Sequence, residues 1–493
     1  MADAYRFLAV DIGAESGRGE IVTLADGKVS MEEVHRFANR PVRLGGTLHW
    51  DFPSLYAEVL NTMRACAERG EELAAVSVDT WGVDFGLIGA DGALLGNPVH
   101  YRDARTDGIH EHAAKIMPIE EIFAVTALHT MPINTLFQLH AMQRGGSPLL
   151  DVADTFLMMP DLIAYFLTGV KASELCIAQT SQLVDTDCKW SDEIIGRFGL
   201  PRAIFPKIIG PAEVIGPMTP SVQEEAGLGD VPVVATAGHD TGAAVAAVPG
   251  AGENWAFLSC GTWSILGRLI DKPIELEKCY QLGFAYEITY GGWYLARNIL
   301  GLWLVQELRR KWNTADDPWD YDRMTAAAAA AESGPMVDVD DGRLLAPADM
   351  EQTLLTMLRE SGQAAPADRG QLVRCVLESL ALQYAWGLDA IGEITGRRPE
   401  ALYMVGGGIA NKLLCQLTAS ACGMPVHAGV DQCTALGNAL GQALALGIVK
   451  DRDEIRQVMR ASSTIATYEP QDADAWAERR AAYRKLQSSH QWG

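Results

Sequence analysis

The sequence predicts an α/β protein of two domains, and three observations carry that expectation. A strand, a tight turn of glycine and hydroxyl residues and a return strand occur twice, as FLAVDIGAESGRGE (7–20) and FLSCGTWSILGRLI (257–270). Apolar runs alternate with helical patterns along the chain. At 493 residues the chain also exceeds what one hydrophobic core usually organises. The small-residue link Pro249-Gly250-Ala251-Gly252 is the expected boundary, dividing 1–249 from 250–493.

The first half reads as strands over 7–12, 18–23 and 29–37, followed by a helix from Phe52 to Arg69 with Asp51 as its cap. A buried strand, AAVSVD, ends at Thr80-Trp81-Gly82-Val83-Asp84, and the apolar run resumes over Phe85 to Ile88. Polar residues at the carboxyl end of a buried strand are where open α/β sheets bind ligands. Mainly helical segments follow to about Gly199, and VPVVATAGHD (231–240) reads as another buried strand. The second half repeats the order: AFLSC and SILGRLI as strands, a strand pair near 282–297, helices, and LYMVGGG as a strand feeding a helix at Asn411. In RNILGLWLVQEL (297–308), Asn298 and Gln306 can share one face of a helix or its lead-in. The segment 312–370, with Ala326 to Ala331 as a helix stopped by Gly334-Pro335, is expected to lie away from the chemistry.

Composition excludes whole classes of partner. Forty basic against sixty-three acidic side chains give a net charge of −23, which repels nucleic acid and anionic lipid. No uninterrupted apolar stretch is long enough to span a membrane, and MADAYRFLAVDIG runs straight into a strand without a secretory pattern. The expected compartment is the cytoplasm. Nine cysteines without a CxxC pair read as reduced thiols, with Cys415 and Cys422 as small buried residues on one helix. His110 and His112 read as surface residues.

The two turns bear on function. Each puts backbone N–H groups on a concave surface that suits phosphate oxygens, so two facing turns can hold one nucleotide. Asp11 stands at the end of the first strand, before the turn that carries Arg18, as a ligand for metal-bound water. Gly238-His239-Asp240-Thr241 ends an apolar run shortly before the second turn, which suggests an acid/base carboxylate near a transferred phosphate. Met404 to Asn411 is a strand, a glycine run and a helix start, suited to close backbone approach to an adenine or ribose. No GxGxxG fingerprint, P-loop or GxSxG elbow is present.

In order and spacing, DIGAESGR, VDTWGVDF, YRDARTD, GHDTGAAV, LSCGTWS, NILGLWLVQ and VGGGIANKLLCQLTASACG resemble the FGGY family of carbohydrate kinases over essentially the whole chain. The likeness is greatest to the branch that acts on L-rhamnulose. The resemblance implies two ribonuclease H-like domains of the actin/hexokinase ATPase type, with the active site in the cleft between them. It implies transfer of the ATP γ-phosphoryl group to the C1 hydroxyl of L-rhamnulose, in L-rhamnose catabolism, by a monomer or small homo-oligomer. Carried over by position, Asp240 is the proton acceptor, with His239 and Thr241 beside it on the sugar. Trp81, Gly82 and Asn298 are further sugar contacts. Ala14, Glu15, Ser16, Gly17 and Arg18 form the first phosphate turn and Thr262 the second, while Gln306 and Gly407 contact the nucleotide. Asp11 would hold Mg²⁺ through water. The family's first turn often has Ser or Thr where this chain has Glu15; a carboxylate there suits a triphosphate only if it faces solvent or the metal. Two alternatives stay open at this point: a kinase for L-fuculose, ribulose or xylulose, and an actin-like ATPase that is not a kinase.

Overall fold

In the computed structural model, which describes residues 4–487, each half of the chain builds its own sheet. The run Phe7 to Ile12 is wholly buried and forms the middle of the first sheet as β1 (Tyr5–Ile12). β2 (Ser16–Ala25) returns antiparallel with Arg18 opposite Asp11, and β3 (Lys28–Ala38) continues the meander. β4 (Ala75–Thr80), buried at every position, lies parallel to β1 with Asp79 opposite Asp11. A strand buried on both faces reads as a continuous apolar run, which is why the sequence shows it plainly. With β5 (Glu213–Pro217) and β6 (Pro232–Ala235), the order is β5-β6-β4-β1-β2-β3.

The second sheet comprises β7 (Trp255–Cys260), β8 (Trp263–Ile270), β9 (Ala285–Thr289), β10 (Gly292–Leu300), β11 (Ala401–Val405), β12 (Val426–Ala428) and β13 (Ala466–Tyr468). Its order is β9-β10-β8-β7-β11-β12-β13. The series β3-β2-β1-β4-β6 and β10-β8-β7-β11-β12 match in order and direction: an antiparallel meander, then parallel strands reached by crossovers. This is the ribonuclease H-like arrangement, present twice.

Six helices matter for the site. α1 (Phe52–Glu68) starts where the Asp51 carboxylate accepts the Ser54 N–H at 3.4 Å, with Pro53 in its first turn, and it buries Leu55, Val59, Met63 and Cys66 against the first sheet. α2 (Asp240–Ala246) follows β6, and α6 (Cys433–Ala445) follows β12, the equivalent place in the repeat. Between them in sequence come α3 (Trp303–Trp312), α4 (Arg369–Thr395) and α5 (Lys412–Cys422). α2 and α6 pack on each other so closely that a Cβ on Gly437 would stand 1.9 Å from the Ala243 carbonyl oxygen. α6 also reaches the first sheet, where Gln442 donates to the Leu8 carbonyl at 2.9 Å and Asn438 to Asp79 Oδ2 at 2.6 Å. One apolar cluster accordingly contains residues of both halves.

The structure departs from the sequence reading in several places. Of the two placements open for Asn298, the structure takes the lead-in and not the helix that carries Gln306: it lies on β10, because Gly292–Leu300 is sandwiched between β8 and β9 and buries an apolar run on a strand. The helix begins only after Gly301, whose missing side chain lets the chain turn against the Gly261 carbonyl. The strand expected over 231–240 stops at Ala235. Just beyond it, side chains take the backbone donors, Tyr290 Oη accepting the Ala237 N–H at 3.0 Å and Glu174 the Gly238 N–H at 2.9 Å, and backbone pairing returns only as a single bridge between Thr80 and His239. His110 and His112 sit half-buried on a short helix, the His110 ring packing edge-on 4.7 Å from Phe137. All nine cysteines are free thiols, and Cys415 and Cys422 are buried on α5. Among the described residues, no helix is long and apolar enough to cross a membrane.

Candidate active site

The carboxyl ends of β1 and β4 place two acids side by side. Asp11 is nearly buried and pairs with Arg18 Nε at 3.4 Å across the hairpin. Burial, and then the nearby Asp240 carboxylate, push Asp11 up to about 6, while Arg18 and a hydrogen bond from Asp79 pull it back. Asp79 has no exposure, and burial followed by the charge of Asp11 drives it well above the ordinary carboxylate range. Asp79 is therefore the protonated member, leaving Asp11 as the ion. Asn438 of α6 holds Asp79 from the other half of the chain.

The loop after β4 is fixed by a residue behind it. Asp84 is fully buried and accepts from Trp50 Nε1 at 2.6 Å, Trp81 Nε1 at 2.9 Å, Gln138 Nε2 at 3.0 Å and the Tyr101 N–H at 3.2 Å. Burial lifts its carboxyl to about 6 against these donors. Val83 has φ +71°, a strained value for a β-branched residue. Its N–H goes to Thr180 Oγ1 and its carbonyl accepts from Thr135 and Gln138, which hold the strain in place. Gly82 lies against Thr180, where a Cβ would be 3.1 Å from the threonine side chain. Trp81 is nearly buried and its indole N–H is spent on Asp84, so it can meet a ligand only with its ring.

The Gly238–Thr241 segment lies beside this loop, since the Thr80 N–H donates to the Gly238 carbonyl at 2.9 Å. Glu174 anchors it from below, accepting from Gly238 N, Cys176 N and Ile177 N. Full burial raises Glu174 to about 7, although these N–H groups oppose the rise. Asp240 opens α2 with its side chain about one-third exposed. One oxygen, Oδ1, takes the Thr241 N–H at 2.6 Å and lies 3.4 Å from His239 Nε2; Oδ2 makes no hydrogen bond among the described residues. His239 Nδ1 meets Glu287 Oε2 at 3.1 Å.

The second turn gathers another set. Thr262 and Gly261 carbonyls accept from Trp303, Gly301 and Leu302, so the start of α3 is laced to the turn, and Gln306 Nε2 donates to Thr262 Oγ1 at 3.1 Å. The Gly406–Gly408 run packs on the end of β7, where a Cβ on Gly408 would fall 2.3 Å from Cys260 Sγ. Gly407 is exposed with open space above it. Asn298 is exposed on β10 beside Ile265. In the first turn Ser16 and Glu15 are exposed, and Asn39 ties the backbone by donating to the Gly13 and Glu15 carbonyls. The Glu15 side chain thus faces solvent.

The structure brings Asp11, Arg18, Trp81, Gly82, His239, Asp240 and Thr241 together in the first half, and Thr262 with Gln306 and the Gly407 run in the second. Sequence reasoning gave no role to Asp79, Asp84, Glu174, Glu287 or Asn438. Asp79 and Asp84 open and close the DTWGVD run and had a signal in its place at the end of a buried strand; Glu287 and Asn438 had none, because their partners are remote in sequence. Among the described residues, no cluster of three His, Cys, Asp or Glu side chains is arranged to hold a metal. Asp11 alone, ionised at the first turn, fits the habit of Mg²⁺ of taking one carboxylate, several waters and phosphate oxygens.

Two ribonuclease H-like domains, each with a glycine and hydroxyl turn, define the actin/hexokinase class of ATPase fold. Family models match along most of the chain: the N-terminal domain of the FGGY family of carbohydrate kinases over residues 6–247, and its C-terminal domain over 256–446. The chain belongs to that family and is a sugar kinase. It is 40% identical over 472 residues to Rhamnulokinase of Bacteroides thetaiotaomicron, covering 95% of this chain and 97% of that protein. To Rhamnulokinase of Oceanobacillus iheyensis it is 36% identical over 466 residues, covering 94% and 97%. Among solved structures, gluconate kinase from Lactobacillus acidophilus superposes with a TM-score of 0.79 at 18% identity, covering 98% of this chain and 96% of that one. Plasmodium falciparum glycerol kinase with ADP superposes at 0.80 and 15% identity, covering 98% and 97%.

Proposed function

We propose that the protein transfers the γ-phosphoryl group of ATP to the C1 hydroxyl of L-rhamnulose, giving L-rhamnulose 1-phosphate and ADP in L-rhamnose catabolism. The observation that carries this is the relation to proteins named Rhamnulokinase at 34–40% identity over nearly the full length. In this reading residues 1–249 hold the sugar and the first phosphate turn, and residues 250–493 hold the nucleotide. Trp81, Gly82, His239, Thr241 and Asn298 surround the sugar. Ala14 to Arg18, Thr262, Gln306 and Gly407 hold ATP. Asp240 Oδ2 takes the hydroxyl proton as the oxygen approaches phosphorus, with Oδ1 kept in place by Thr241. Arg18 offsets charge building on the phosphoryl oxygens. Asp11 would hold Mg²⁺ through water, and the ion would supply charge neutralisation at the phosphates. Closure of the domains on the sugar would exclude water that otherwise hydrolyses ATP. Nine free thiols and the acidic surface support a cytoplasmic setting without nucleic-acid or membrane partners.

The test is L-rhamnulose-dependent ADP release by the wild type and by Asp240→Asn. The variant should keep its fold and its affinity for ATP and lose roughly 10²- to 10⁴-fold in kcat, the usual worth of a general base. Full turnover by Asp240→Asn would remove this carboxylate from the mechanism.

A further inference from the structure

Besides Asn298, the half of the chain that holds the nucleotide turn sends a carboxylate, Glu287, to the sugar site. β9 is the edge strand of the second sheet, and it is docked on the first half at several points: the Tyr286 carbonyl accepts from Gln179 Nε2 at 2.9 Å, and Thr289 Oγ1 donates to the Gly242 carbonyl at 2.7 Å. Glu287 lies between them, on the same face of the strand as Thr289. Its Oε2 accepts from Tyr294 Oη at 2.7 Å and meets His239 Nδ1 at 3.1 Å. Resting on the functional reading above, we infer that Glu287 is a positioning residue of the sugar site, acting through His239 to aim the imidazole Nε2 at the sugar beside Asp240.

The chemistry follows from what faces the ring. Glu287 stands at Nδ1, Asp240 lies 3.4 Å from Nε2, Tyr294 backs Glu287, and Glu174 and His129 complete the charged surroundings of the pair. Burial favours a neutral imidazole, yet the Glu287 bond and charge, joined by Asp240, outweigh it and hold His239 above its ordinary value. Glu287 is itself held below its usual range, as an ion pair requires, although burial works the other way. The imidazolium that this pairing favours donates from Nδ1 to Glu287 and carries a second proton on Nε2, which can donate to a sugar oxygen. Without Glu287 the ring can turn, and neutral Nε2 can become an acceptor that repels the same oxygen. The contact also makes the sugar site depend on how the two halves are seated.

Steady-state ADP release with L-rhamnulose tests the inference. Glu287→Gln, close to isosteric, should raise KM for the sugar about tenfold or more while KM for ATP stays within about twofold, and Tyr294→Phe should show a smaller effect of the same kind. In a His239→Asn background, Glu287→Gln should add less than about twofold, because its route of action is already gone. A sugar KM unchanged in Glu287→Gln, equal rises for both substrates, or full additivity with His239→Asn would overturn the inference. A second arm needs no sugar: in long-range ¹H–¹⁵N spectra of histidine-labelled protein, with the His239 signal assigned by its loss in His239→Asn, the titration midpoint of that ring should be lower in Glu287→Gln than in the wild type. An unmoved midpoint sinks the coupling. Absence of ketose-dependent ADP from the wild type would defeat the functional reading and leave the spectral arm to decide this one.

Discussion

The neighbours of Asp240 divide its two oxygens: Thr241 holds Oδ1 through its N–H, and Oδ2, the oxygen assigned to the hydroxyl proton in the proposed reaction, makes no hydrogen bond among the described residues. The segment that presents it is set by Glu174, a fully buried carboxylate that accepts three backbone N–H groups. Burial raises Glu174 from 4.5 to about 7, so the folded state binds its proton more tightly than the unfolded chain does. The stability tied to that proton is present below about pH 4.5 and is lost as the pH rises through about 7. The loss is of order 3 kcal/mol, taking 1.36 kcal/mol per pH unit. Urea denaturation of wild type and Glu174→Gln between pH 4.5 and 7.5 should show the wild type losing about that much relative to the variant. A constant difference across the range would show that Glu174 does not titrate in this window.

Among the elements, the α2–α6 contact decides how the halves meet. Each helix follows the fifth strand of its ribonuclease H-like unit, and Gly437 lets their backbones touch. Gly437→Ala places its Cβ against backbone, which cannot swing aside, so the helices must separate; the expected cost is about 1–3 kcal/mol with a loss of sugar-dependent turnover. Gly196→Ala, in a helix with open space around it, should be neutral or stabilising by up to about 1 kcal/mol. Equal urea midpoints for the two variants would show that the close approach is not needed. Much at this scale was legible in the sequence. The repeated strand and turn, the cap at Asp51 and the buried run before Thr80 are local patterns, and Asp11, Arg18 and Asp240 sit within them. The place of Asn298, helix or lead-in, stayed open because a continuous apolar run fits a buried strand and a helix alike, and only pairing with β8 and β9 decides between them. The end of β6 at Ala235 was hidden because Tyr290 and Glu174, remote in sequence, supply the acceptors. Glu287 and Asn438 act through tertiary contacts that no spacing announces.

At the level of the whole molecule, duplication gives the division of labour. Two units of one topology each carry a glycine and hydroxyl turn; the first adds Asp11 and Asp79 at the ends of β1 and β4 and Asp240 at the start of α2, and the second adds Gln306 and the glycine run. α6 and β9 tie the units together through Asn438 on Asp79 and Glu287 on His239, so the sugar side is complete only with residues of the other half. The central claim is that this paired arrangement phosphorylates one ketose. It is tested most directly by coupled ADP release with Mg-ATP against L-rhamnulose, L-fuculose, L-ribulose, D-xylulose and glycerol, with the product ester located by ³¹P and ¹³C NMR. The account predicts strong turnover with L-rhamnulose and phosphate on its C1 oxygen; preference for another sugar, or ATP binding without any sugar-dependent ADP, would contradict it.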